Sequence, residues 1–161
     1  MSNQIFVKMA LDGWQGQLNA TSNLFDKLSD EQLMQEIAPR RNRGIYLLWH
    51  LIAVHDMMLP LLFLGDAQYP QLPRIFVHSP DRAVADLPSV AELRAQWAAQ
   101  NEKITALFAG LTPDEWFSRH ASISPEDFEK EPHRNRLNVL LVRTNHLSNH
   151  RGQLALLAPK G

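Results

Sequence analysis

Two histidines, His146 and His150, stand four residues apart in a stretch of helical periodicity. At about 100° per residue they lie about 40° apart around a helix axis, so both imidazoles can converge on one ion. The stripe they occupy includes Val139, Val142, Gln153 and Leu157, which points the pair inward, where an unpartnered imidazole is costly. A pair at this spacing is also met as two separately hydrogen-bonded side chains. A third histidine bears on the choice. His50, in Leu47-Leu48-Trp49-His50-Leu51-Ile52, lies about 9 Å along the axis of another helical stretch. His146 and His150 lie about 10 to 16 Å from the end of theirs. Were the two helices antiparallel neighbours, the three rings would stand at nearly one level. Three neutral imidazoles with an open position make the ligand set of catalytic zinc, also acceptable to nickel or iron(II). The alternative for His50 is a core imidazole bonded to a backbone carbonyl.

The remaining histidines are weaker candidates. His55 is about 140° around the axis from His50, so the two cannot easily serve one ion; with Asp56 it reads as a polar interruption near the bundle wall. His78, His120 and His133 fall in loops and are expected to be solvated.

Several chemistries are excluded. Leu147 follows His146, so the His-Glu-x-x-His pattern of zinc proteases is missing. No nucleophile elbow, phosphate loop or dinucleotide fingerprint is present. With no cysteine there is no disulfide, thiolate zinc site, iron–sulfur cluster or cysteine nucleophile. Sixteen basic against seventeen acidic residues argue against nucleic acid as main partner.

The elements that must position these residues are helices. At 161 residues and 45% hydrophobic, the chain has the size and composition of one globular domain. Periodicity predicts long helices over about Gln4 to Leu28, Gly44 to Leu64, Val90 to Ala109 and Asn135 to Leu157. The first has Ile5, Met9, Leu11, Leu18, Leu24, Phe25 and Leu28 as its apolar set. The second is apolar nearly all round, hence buried on more than one side, and Pro60 bends or ends it. His50, His55, Asp56 and Pro60 interrupt it too often for a membrane span. Without a signal peptide at the N-terminus, a cytoplasmic protein is expected. Ser29, Ser89 and Thr112 open capping boxes, Ser124 offers a further cap and Pro159 a final stop. Residues 65–87 carry Pro70, Pro73 and Pro80 and no helical stripe, with at most an extended piece at Ile75-Phe76-Val77. The reading is all-α, a four-helix bundle. A connection this long suits helices two and three running the same way, and some of it is expected to overhang a site.

The stretch Asn145-His146-Leu147-Ser148-Asn149-His150-Arg151-Gly152-Gln153-Leu154 resembles the last-helix signature of the DinB/YfiT-like superfamily, a His-x-x-x-His pair followed by Arg-Gly-Gln. Tyr46 to His55 resembles its second-helix motif, an apolar run leading into a histidine. The resemblance implies an up-down-down-up bundle with long crossover connections. It also implies a divalent metal, zinc or nickel, on His50, His146 and His150. Relatives include S-transferases and isomerases using bacillithiol, mycothiol or glutathione. Asn149 departs from the pattern at a position that is not normally a ligand.

Neighbouring residues take expected roles. Gly152 would admit another helix close to the metal. Gln153 would hydrogen-bond a ligand ring, or else bridge two helices. Arg143 would attract an anionic thiol or carboxylate substrate, or else face solvent in a salt bridge. The four tryptophans are core or interface residues. The leading function is a metal-dependent enzyme that activates a small thiol, or water, against a small-molecule electrophile. The rivals are a non-catalytic metal- or ligand-binding bundle and a structural module whose second helix forms a homodimer interface.

Overall fold

A computed structural model describes residues 2–84 and 87–158, and all its regular elements are helical. Four are long: α1 (Ser2–Lys27), α3 (Gly44–Leu61), α5 (Val90–Ala109) and α8 (Arg136–Leu154). Short helices punctuate the connections: α2 (Asp30–Leu33), α4 (Leu72–Phe76), α6 (Pro113–Trp116) and α7 (Pro125–Lys130), and a 3₁₀ turn, Ala155–Leu157, follows α8. Pro159, the expected stop, lies outside the described residues.

The starts are set by side-chain caps. Ser29, Ser89 and Thr112 each accept the third backbone N–H of their helix, while Gln32, Glu92 and Glu115 reach back to the cap N–H. These reciprocal bonds satisfy donors that a helix start otherwise leaves orphaned, at about 1 kcal/mol per cap. Ser124 and Asn135 cap α7 and α8 in the simpler way.

α3 is the centre. Fourteen of its residues are buried, which leaves only its edge for His50. It passes the length and apolarity test for a membrane span, yet 78% of that window is buried against α2, α4, α5 and α8. Its apolar excess is thus largely buried within the chain's own packing. α3 ends at Leu61, not Leu64, because Pro60 falls in its last turn and Phe63 turns the chain with φ +56°. Gly44 sits where a Cβ would come within 2.5 Å of Leu157 Cδ1 and 3.1 Å of the Leu33 carbonyl. Close approach of α2 and the α8 terminus therefore depends on glycine there.

In α1 the buried stripe is Val7, Ala10, Trp14, Leu18, Thr21 and Phe25, continued by Leu28 just past its end. This register corrects the expected one: Ile5 and Met9 are 60% and 64% exposed. The spacing of three and four keeps one face inward, and Ile5 and Met9 fall beside it. Trp14, Trp49, Trp97 and Trp116 are all buried.

The connection after α3 is also corrected. Residues 75 and 76 belong to α4, not to an extended piece. Pro73 sits in its first turn, where a missing N–H costs nothing. Leu72 and Phe76, four apart, are both buried and hold the turn on α3.

Candidate metal centre

α3 presents His50, and α8 presents His146 and His150. Both are beside, not on, the buried Leu140–Leu147–Leu154 stripe of α8. Val142, expected on the same face, is 53% exposed. The three rings are half-buried at the edge of the α3–α8 seam.

Their nitrogens converge. His146 Nε2 lies 3.1 Å from His50 Nε2 and 3.1 Å from His150 Nε2. The three candidate ligand atoms all fall within 4.8 Å of one another. Nitrogens bound to one tetrahedral ion at about 2.0–2.1 Å would be roughly 3.4 Å apart. The separations therefore suit a shared cation.

The tautomers follow from the outer partners. His50 Nδ1 is 2.7 Å from the Phe76 carbonyl, and His150 Nδ1 is 2.8 Å from Gln153 Oε1. Both partners are acceptors, so each Nδ1 carries the hydrogen and donates it. Both Nε2 atoms then turn lone pairs toward His146 Nε2. Neutral His146 has at most one N–H there, enough for one neighbour. Three donor atoms meeting with too few protons between them form a seat for a cation. His146 Nδ1 is buried without a partner among the described residues.

Electrostatics keep these rings neutral, the form that binds metal. Burial lowers the pKa of His146 to about 4, helped by His150, His50 and Arg143. Burial also lowers His50 and His150, against the opposing bonds to Phe76 and Gln153.

The Phe76 carbonyl reaches His50 because the connection is tied to α3 at both ends. The buried Asp56 carboxylate accepts the backbone N–H groups of Gln68 and Tyr69 at 2.9 and 2.8 Å. At the other end, Tyr46 Oη donates to the Ser79 carbonyl at 2.6 Å, and Arg43 pairs with Asp81 at 2.7 Å. Between them the Phe76 ring stacks on Trp49, 5.5 Å between centroids. The expected overhang is thus a part of the site itself. The backbone-carbonyl bond expected of His50 in the alternative reading is present alongside the ring cluster, but Phe76 as its source was missed, because a backbone carbonyl leaves no side-chain signature.

Other expected residues separate from the cluster. His55 is not at the bundle wall but fully buried between Trp14 and Trp97, with Nδ1 3.2 Å from Asn101 Oδ1. Its pKa falls to about 3, chiefly by burial. His78 and His133 are exposed, and His120 is half-buried, its Nδ1 accepting the Ser122 N–H. Gly152 faces open space, so no helix approaches there; Gly44 is the glycine of close approach. Arg143 has no salt-bridge partner among the described residues and lines a cavity instead. A second cavity of about 520 Å³ opens against His150 and Gln153, under the Arg40-Arg41-Asn42 turn.

No curated protein matches the chain at a significant level. The family model of the DinB superfamily matches residues 14–154, a span containing all three converging histidines and the connection that orients His50. With nearly the whole helical chain inside that match, the protein belongs to the DinB superfamily.

Proposed function

We propose that the protein is a metal-dependent enzyme in which His50, His146 and His150 hold one divalent cation, zinc or nickel, through their Nε2 atoms. The observation that carries this reading is the pair of oriented tautomers: with Nδ1–H given to Phe76 and Gln153, two lone pairs meet at a third imidazole. Such outer partners fix ring orientation and raise ligand basicity. Gln153 takes that role for His150, and the Phe76 carbonyl for His50. A divalent cation with an open position supplies a lowered pKa for a bound thiol or water.

The reaction is thiol transfer to a small electrophile, with hydrolysis as the second form on the same ligands. Among the described residues, neither the cavity against His150 nor the one beside Arg143 is lined by Asp or Glu, so neither offers a carboxylate as general base for water. That favours a thiol, whose proton leaves more easily than that of water. A cytoplasmic setting would keep such thiols reduced. The fold completing this reading is an up-down-down-up bundle. Bonds from Trp97 to Ser22 and from Thr105 to Gln15 support opposite senses for α1 and α5. Contacts of residue 44 with 157, and of 50 with 146, support opposite senses for α3 and α8.

The test is turnover by zinc- and nickel-loaded protein with glutathione, bacillithiol or mycothiol and a chromogenic electrophile such as 1-chloro-2,4-dinitrobenzene. Metal-dependent consumption of one thiol is expected, and its loss on His146→Ala. Thiol consumption no faster than in buffer, in both metal forms, removes the transferase reading; metal-dependent ester hydrolysis would then support the second form.

A further inference from the structure

Arg143 stands one turn before His146 on α8 and is half-buried. Arg43, Arg82, Arg94 and Arg134 each have a carboxylate partner. Arg143 has none among the described residues, and its Nε is buried without an acceptor. Burial holds its pKa below the ordinary value. An Nε–H buried without an acceptor is costly, and an arriving anion that accepts it recovers that cost.

The side chain lines a cavity of about 400 Å³ with Met57, Pro60, Leu61, Ala121 and Ser122. That is room for a small molecule. The walls are mostly apolar, which strengthens any charge pair formed inside. Arg143 and Ser122 are its polar side chains. One guanidinium and one hydroxyl compensate a single negative charge; a dianionic phosphate would want a second cation, and this cavity is lined by none. A carboxylate matches both the charge and the planar fork of arginine.

Resting on the metal reading above, we propose that Arg143 is the specificity-determining residue: the substrate is a small molecule bearing a carboxylate, held at Arg143 while its reacting end lies at the three histidines. The probes are 3-mercaptopropionate and its uncharged amide, 3-mercaptopropanamide, titrated by calorimetry into zinc-loaded protein. The wild type is expected to bind the carboxylate at least tenfold more tightly. Arg143→Gln should bind both at the affinity of the amide, with zinc content and helical circular dichroism unchanged. Arg143→Lys, which keeps the charge and loses the fork, should retain part of the preference and serves as the readout if the glutamine variant does not fold. A wild type without preference, or an undiminished preference in the variants at one zinc per chain, overturns the assignment of Arg143 and leaves the metal reading standing. A wild type that holds no zinc overturns the metal reading, and this inference with it.

Discussion

His50 and His55 lie five residues apart on α3 and have opposite fates. His55 is sealed between Trp14 and Trp97, with one hydrogen bond to Asn101 and Nε2 without a partner among the described residues. His50 sits at the helix edge, spends Nδ1–H on a backbone carbonyl and turns Nε2 toward two other imidazoles. Both are held neutral by burial. Neutrality therefore does not distinguish a candidate ligand from a packing residue. What distinguishes them is whether the lone pair meets other lone pairs or a closed wall of carbon.

That contrast breaks most sharply on truncation. His50→Ala, His146→Ala and His150→Ala should each weaken zinc binding by at least about 10³-fold, since a direct ligand exceeds the 10–100-fold typical of its outer partners. Competition with a chelating dye reads this, and circular dichroism should report an intact bundle. His55→Ala should do the reverse. Removing a fully buried ring beside two tryptophans should cost about 2–4 kcal/mol in urea unfolding, with zinc stoichiometry unchanged. Gln153→Ala sharpens the comparison from the other side: a 10–100-fold loss of zinc affinity, about 1.4–2.7 kcal/mol, with no comparable loss of stability in the metal-free protein.

The smallest expected step is the one per unit of pH. The pKa of His55 is about 3 when folded against 6.5 ordinarily, so the unfolded chain binds that proton first. The stability from keeping His55 neutral is complete above about pH 6.5 and is lost as pH falls toward about 3. His50, His146 and His150, also lowered, act in the same direction in metal-free protein. Unfolding free energy should thus fall with acidification, and His55→Ala should reduce the slope by one proton, about 1.4 kcal/mol per pH unit. An unchanged slope would mean that the His55 ring is not kept neutral by its surroundings.

Much of this was legible in the chain. The long helices announce themselves because caps such as Ser89–Glu92 and the all-round apolarity of α3 are local signals. Axial arithmetic puts His50 level with His146 and His150 once the two helices are taken as antiparallel neighbours, and the family resemblance supplies the ligand set. The misjudged features depend on what packs against what. Val142 and Gly152 have the right period and residue type, but no element covers them. His55 looks like a polar break until α1 and α5 close over it with Trp14 and Trp97. The α4 turn is hidden because prolines read as breakers, although Pro73 occupies a helix start. Phe76 is invisible as an orienting group, since it contributes only its carbonyl.

X-ray absorption at the metal edge of zinc-loaded, tag-free protein tests the central claim most directly. The account predicts one zinc per chain with three imidazole nitrogens at about 2.0–2.1 Å and one further light atom. A shell with fewer than three imidazoles, or one unchanged in the His50→Ala variant, would contradict it.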